Sequence, residues 1–107
     1  MNETESVTTP IADYRVKLIG VLRSAAGGRE IDIEGPAGLR LSELIARLLA
    51  KIDRPQFKEL LIDSSTNSPL PNVIILLDDQ DCNLFQGLRT VLDLGTRITI
   101  IPVAHGG

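Results

Sequence analysis

One apolar stripe constrains the fold of this chain more than any other feature of its 107 residues. Its members recur at spacings of three, one, three, one and three, at Leu41, Leu44, Ile45, Leu48, Leu49 and Ile52. Because this spacing puts them on one side of a helix, the sequence predicts an amphipathic helix at Leu41–Lys51. Pro55 is expected to begin a second, short helix whose apolar anchors are Phe57, Leu60 and Leu61.

The segments around this helix alternate between apolar and polar residues or are rich in β-branched ones, which predicts strands. The strands are expected at Arg15–Leu22, Glu30–Glu34, Val73–Leu77, Cys82–Phe85 (a short return strand) and Arg97–Val103. One substantial helix can cover only one face of a sheet. We therefore predict an α+β fold of the β-grasp type, with a mixed sheet of four to five strands and one main helix on one face.

The first two strands are expected to form a hairpin. Between them, 23–29 contains Ala25-Ala26-Gly27-Gly28, which is small and flexible and predicts a loop. If Ile33 faces the same core as Leu18, Lys17 lies opposite Glu34. Opposite charges across a strand pair are favourable, so charge and burial both support this register.

A chain of this length forms one domain. We predict a disordered leader at 1–13, the β-grasp domain at 14–103 and a flexible tail at 104–107. The acidic, polar N-terminus does not resemble a signal peptide, and the longest aliphatic run, at 73–77, is far too short to span a bilayer. The expectation is a cytoplasmic protein that does not bind membranes.

The charge balance argues against a nucleic-acid-binding role. Eleven Lys and Arg against 14 Asp and Glu give a net charge of −3, whereas nucleic-acid binders need a positive excess. The aromatic residues are only Tyr14, Phe57 and Phe85, too few to build a base-stacking surface. We expect no direct contact with DNA or RNA.

Residue types that carry side-chain catalysis are scarce. The only His, His105, lies near the end of the sequence, and the only Cys, Cys82, is of a type more often packed than reactive. The cluster at Asp78, Asp79 and Asp81 lacks the Gly and the distal Glu of a calcium loop and predicts a solvated turn. We predict no catalytic residue and no metal ion.

The Gly106-Gly107 ending is the most unusual feature of the chain. Two Gly at a C-terminus arise by chance in about one chain in 200, and here they follow closely on a predicted strand. Because Gly has no Cβ, such a terminus can enter a narrow channel and bring its carboxylate to a reaction. From the spacing alone, a reactive terminus and a flexible tail without function remain about equally supported.

Several segments together resemble the ubiquitin-like sulfur carriers, a group that includes the molybdopterin synthase small subunit, the thiamine sulfur carrier and the ubiquitin-related modifier. The resemblance runs from about Val16 to Gly107, and it rests on Val16–Arg23 with Gly27-Gly28, Leu41–Ile45, Thr90–Leu92, Gly95 and Ile98–Pro102. His105-Gly106-Gly107 and the turn at Leu77–Asp81 are most similar to the ubiquitin-related modifier branch.

The resemblance implies a protein cosubstrate that is not an enzyme and binds no cofactor. A ubiquitin-activating-type adenylating enzyme would use ATP to adenylate the Gly107 carboxylate, and a sulfurtransferase or other persulfide donor would convert it to a thiocarboxylate. His105 and Gly106 would help the enzyme to recognise the tail. The sulfur would serve tRNA thiolation or cofactor synthesis, or the terminus would be joined to lysines of target proteins by an isopeptide bond.

Two other functions remain open at this point. The chain could be the small subunit of molybdopterin synthase, with its tail in the active site of a large partner subunit, or a non-catalytic ubiquitin-like interaction module. In each case a partner needs a docking surface. Ile19, Val21 and Ile101, together with Leu76, are expected to form an exposed apolar patch on the uncovered face of the sheet. The alternative is that loops or the second helix cover these residues.

Overall fold

The computed structural model describes residues 11–103. Its elements, in chain order, are β1 (Ile11–Leu18), α1 (Val21–Ala26), β2 (Glu30–Pro36), α2 (Leu41–Lys51), α3 (Pro55–Leu61), β3 (Val73–Leu77), β4 (Gln80–Asp81) and β5 (Arg97–Pro102), with short 3₁₀ turns at Cys82–Leu84 and Gly87–Arg89. No helix within this range is long and apolar enough to cross a membrane.

The strands form one five-stranded sheet in the order β2-β1-β5-β3-β4. β1 and β5 are parallel, and the other neighbours are antiparallel. Apolar side chains of all three helices pack with one face of the sheet in a single core cluster. The predicted α+β β-grasp fold, with a mixed sheet and its main helix on one face, is confirmed.

β1 begins earlier than the sequence predicted. Ile11 pairs with Pro36, and Asp13 pairs with Glu34, so the predicted leader at 1–13 is wrong for its last three residues. The physical reason is that the alternation continues back to Ala12, whose side chain is buried in the core. The rest of the predicted leader, 1–10, lies outside the described residues.

β1 also ends earlier than predicted, and the loop predicted at 23–29 is wrong for 23–26, since only 27–29 lie outside a helix or strand. The chain leaves the sheet after Leu18 and forms α1, which buries Leu22 and Ala26 on one side. Gly20 has a φ of 61° and a ψ of −132°, a region that is open to glycine and costly for other residues. This glycine turns the chain out of the strand, so the apolar residues that follow it reach the core from a helix.

The hairpin register therefore differs from the predicted one. Lys17 pairs with Glu30 and not with Glu34, a shift of four residues. Because side chains alternate with a period of two, an even shift keeps every side chain on its face. Ile33 accordingly faces the core as predicted, opposite Tyr14.

α2 occupies Leu41–Lys51, as predicted, although no Ser, Thr or Asp precedes it. The backbone N–H of Arg40 donates to Oε1 of Glu43 (2.9 Å), and the N–H of Leu41 donates to the carbonyl of Thr90 (2.9 Å). A segment distant in sequence thus satisfies one of the N–H groups at the start of the helix that have no partner within the helix. α3 begins at Pro55, also as predicted.

The acidic residues after β3 make a tight turn. Asp78 and Asp79 have φ values of 49° and 69°, and two consecutive positive φ values are typical of a two-residue type I′ hairpin. Because the turn is so short, β4 begins at Gln80, and the predicted strand at 82–85 is wrong. Cys82 instead begins a 3₁₀ turn, where Oδ1 of Asp81 accepts a hydrogen bond from the N–H of Asn83 (2.8 Å).

Tyr14 supplies a test of the core. Its side chain is 1% exposed, and its hydroxyl donates to the carbonyl of Pro36 (2.7 Å) and accepts from the N–H of Leu39 (3.4 Å). Tyr14→Phe leaves both groups without this partner, so the free energy of unfolding in urea should fall by about 1–3 kcal/mol. Ser64→Ala, at an exposed loop position, is the control and should change it by less than about 0.5 kcal/mol. A Tyr14→Phe value equal to wild type would show that these hydrogen bonds do not stabilise the fold.

Candidate functional site at the end of the central strand

The last strand holds the chain firmly up to the point where the predicted tail begins. β5 lies between β1 and β3, with Leu18 paired to Ile100 on one side and Ile74 paired to Ile101 on the other. The N–H of Val103 donates to the carbonyl of Asn72 (2.9 Å). Four further residues can extend at most about 14 Å from such an anchor.

The predicted tail residues His105, Gly106 and Gly107 lie outside the described residues. Their roles stay predictions. The structure does describe the surface beside the end of β5, and this surface was predicted as a docking patch.

An apolar surface surrounds the end of β5 on the sheet face opposite the helices, here called the open face. We call it the exit patch and define it by Ile19, Ile74, Leu76 and Ile101. Ile74 is 40% exposed and the other three are half-buried. Ile19 directly follows β1, where its N–H donates to the carbonyl of Ile100 (3.2 Å). The helices do not cover the exit patch, because their buried residues lie in the core on the opposite face.

The prediction that Val21 belongs to this face as a strand residue is wrong. Val21 is the first residue of α1 and is 54% exposed. The sequence-based assignment extended the alternation of β1 through Gly20, where the chain turns. Val21 is therefore an exposed apolar residue on a helix, close in sequence to Ile19 but on a different element.

Ile74 was missed by the sequence analysis. The run Val73–Leu77 predicted a buried strand from which Leu76 alone was placed on the exposed patch, but its burial alternates, with 73, 75 and 77 buried and 74 exposed. The signal that could have revealed this is Leu76, which was already placed on the exposed patch, because residues two apart in a strand share a face. The observed pairing of Ile74 with Ile101 places both residues on the open face.

The other end of the open face is charged. Arg15 and Arg97 are cross-strand neighbours, and each is paired with carboxylates. Nε of Arg15 lies 3.2 Å from Oδ1 of Asp32, and Nη2 of Arg97 lies 3.2 Å from Oδ2 of Asp79. The hydrogen bond to Asp32 and its charge raise the pKa of the Arg15 guanidinium above its ordinary value. Because these pairs are exposed they add little stability, but they divide the open face into an apolar end and a charged end.

The thiol of Cys82 is not placed for chemistry. Its side chain is fully buried. Burial raises the pKa of the thiol, and the nearby Asp81 carboxylate raises it further, so the reactive thiolate is disfavoured. The predicted packed role of Cys82 is confirmed. Within 11–103, no group of three or more His, Cys, Asp or Glu side chains is arranged to hold a metal ion.

Cys82 gives a pH prediction. Iodoacetamide should modify the folded chain far more slowly than the chain in urea. Between the ordinary thiol pKa of about 8.5 and the higher folded pKa, the unfolded thiol loses its proton and the folded thiol keeps it. Stability should therefore be complete below this range and should fall as pH rises through it. Urea unfolding at a series of alkaline pH values should show a smaller fall for Cys82→Ala than for wild type. Equal falls, or rapid alkylation of the folded chain, would contradict a buried thiol.

Comparison with known proteins shows which family the chain is similar to. A family model described as the ThiS family matches residues 16–107. The ubiquitin-related modifier 1 of Schizosaccharomyces pombe is 26% identical over 96 residues, which are 87% of this chain and 97% of the yeast protein.

Solved structures agree with this relationship. The small archaeal modifier protein 1 of Methanosarcina acetivorans has a TM-score of 0.75 and 25% identity, over 92% of this chain and 99% of its own. Urm1 of Trypanosoma brucei, at 22% identity, supports the fold, with a TM-score of 0.72 over 94% of this chain and 100% of its own. Because the family model spans most of the chain, from β1 through the Gly-Gly ending, the chain belongs to the ThiS family, a family of ubiquitin-like sulfur carriers.

Proposed function

We propose that this chain is a sulfur carrier and protein modifier whose Gly107 carboxylate is adenylated by a ubiquitin-activating-type enzyme and converted to a thiocarboxylate. The observation that carries this proposal is the extent of the family match, which includes Gly106 and Gly107 as well as the folded domain. The fold adds a rigid anchor at the end of β5 and an apolar exit patch beside it.

The proposed chemistry requires two partners, since a carboxylate is a poor electrophile until one of its oxygens becomes part of a good leaving group. Adenylation joins a Gly107 oxygen to the α-phosphate of ATP and releases pyrophosphate. The terminal sulfur of a persulfide donor then attacks the acyl carbon, and AMP leaves. A second thiol of the donor then attacks the donor's own sulfur in the acyl disulfide. The sulfur–sulfur bond breaks, a disulfide forms between the two donor sulfurs, and the thiocarboxylate remains on Gly107.

The described residues support the role of a cosubstrate. The thiol in this part of the chain is buried, so the nucleophile and the stabilisation of charge must come from the partner. The chain itself contributes a surface for docking and the reach of its tail. The carrier role is proposed ahead of a synthase subunit because the Schizosaccharomyces pombe relative is a ubiquitin-related modifier. On this proposal the sulfur serves tRNA thiolation or cofactor synthesis, or the activated terminus forms an isopeptide bond with a target lysine.

ATP labelled at the α-phosphate tests the first step. When this chain is incubated with its cognate activating enzyme, the label should become attached to the chain, and pyrophosphate release should depend on the chain. ATP labelled at the γ-phosphate is the matched control, because that label leaves with pyrophosphate. Pyrophosphate release that does not depend on the chain, with no label on it, would contradict the proposal.

A further inference from the structure

Among residues 11–103, β2 forms one edge of the sheet and has β1 as its only neighbouring strand. The N–H of Leu18 donates to the carbonyl of Arg29 (2.8 Å), which identifies this pair as a hydrogen-bonded one. Hydrogen-bonded and non-hydrogen-bonded pairs alternate along an antiparallel ladder. The backbone groups of 31, 33 and 35 therefore face β1, and those of Glu30, Asp32 and Glu34 point away from the sheet.

Two cationic side chains of α2 reach over this edge. Nη1 of Arg47 donates to the outward carbonyl of Glu34 (3.2 Å), and Nζ of Lys51 donates to the outward carbonyl of Asp32. Both side chains are exposed and long, so a competing backbone can displace them. Between β2 and α2 they line a groove of about 640 Å³.

The side chains that β2 itself places on the open face are all acidic, and on their inner side Arg15 and Lys17 of β1 lie beside Asp32 and Glu30. Glu30, Asp32 and Glu34 alternate along β2 and are all exposed, and Asp13 lies beside Glu34 as its cross-strand partner. If a second copy added its own β2 antiparallel to this edge, the same carboxylates would lie next to one another. Like charges at such positions are destabilising, so the edge disfavours pairing with itself.

We infer that the edge of β2 is a docking surface for an extended segment of another protein, with Lys or Arg at alternate positions. The backbone of that segment adds a strand to the sheet, and its cations lie beside Glu30, Asp32 and Glu34. Arg47 and Lys51 cover the two carbonyls until the segment replaces them, which protects an otherwise open edge. The surface is separated from β5 by β1, so it is independent of the proposed chemistry at the tail.

The probe is a capped synthetic peptide, Thr-Lys-Val-Lys-Val-Lys-Thr, added to the isotope-labelled full chain and followed by NMR. Amide shifts should concentrate at Glu30–Gly35 and at Arg47–Lys51. A peptide with Glu in place of Lys should bind at least about tenfold more weakly, given three cross-strand charge pairs. A rearranged peptide with its three Lys adjacent should also bind more weakly, because it loses the alternation.

Charge reversal on the protein tests whether the carboxylates of β2 select the cationic peptide. Glu30→Lys combined with Glu34→Lys should reverse the preference, so that the Glu peptide binds more tightly than the Lys peptide. An unchanged preference would overturn the inference, as would equal binding of the alternating and rearranged peptides or shifts confined to other elements. If the double variant does not fold, the comparison of the three peptides on the wild-type chain still decides for or against it.

Discussion

Deletion of Gly107 should abolish ATP-dependent adenylation of this chain and leave its fold intact. The deletion withdraws the carboxylate by up to about 3.5 Å, and misplacement by about 1 Å can already cost on the order of a hundredfold in rate. An extra residue after Gly107 should have the same effect, because the carboxylate then belongs to another residue. The adenylation activity is measured as the pyrophosphate that the activating enzyme releases only when the chain is present.

Stability separates a reactive terminus from a structural one. The described core is complete without the tail, so the free energy of unfolding should stay within about 0.5 kcal/mol of wild type. Deletion of Asn2 is the matched control and should leave adenylation unchanged. If the chain without Gly107 is still adenylated, the proposed reactive residue is wrong. If it loses stability instead, the tail is structural and the interaction-module reading gains support.

Ile101→Asp should weaken binding to the activating enzyme by at least about tenfold while the chain stays folded. Ile101 is half-buried in the exit patch. An aspartate there can keep its carboxylate in contact with water in the free protein, but binding would bury that charge against an apolar partner surface. Its neighbour supplies the matched control. Ile100 is fully buried on the other face of β5, so Ile100→Asp should unfold the chain. Circular dichroism reports the fold, and titration calorimetry with the activating enzyme reports the binding.

Val21→Asp then tests the extent of the docking surface. Val21 is exposed on α1, so the variant should fold. A loss of binding would extend the surface from the exit patch to the helix, and unchanged binding would confine it to the sheet. If Ile101→Asp unfolds the chain, Ile101 belongs to the core and its assignment to the open face is wrong.

The sequence predicted those elements whose apolar periodicity is unbroken. α2 was predicted with its observed bounds because six apolar residues keep one helical spacing. Its unusual N-terminus could not be predicted, since the hydrogen bond from Leu41 ends at Thr90, which only the folded chain brings close. Segments that contain a glycine with special backbone angles misled the prediction. Alternation continues through Gly20 in the sequence, but the φ of Gly20 turns the chain into α1.

The candidate site was predicted in part for a related reason. Ile101 was assigned to the correct face, because the alternation of the last strand has no interruption. Ile74 was missed although Leu76 was placed on the uncovered face, because the period of two along β3 was not applied to its neighbour; the pairing of Ile74 with Ile101 then shows the face directly. The edge of β2 depends on the hairpin register, which the sequence analysis misplaced by four residues. No local pattern indicated that Arg47 and Lys51 would lie over it.

Intact mass spectrometry of the chain, purified from its own cells under mild and thiol-protected conditions, tests the central claim most directly. A fraction of the protein should carry the mass change of one oxygen replaced by sulfur, and fragmentation should place it at Gly107. A terminus that is always an ordinary carboxylate would contradict the claim, as would added sulfur found only on Cys82.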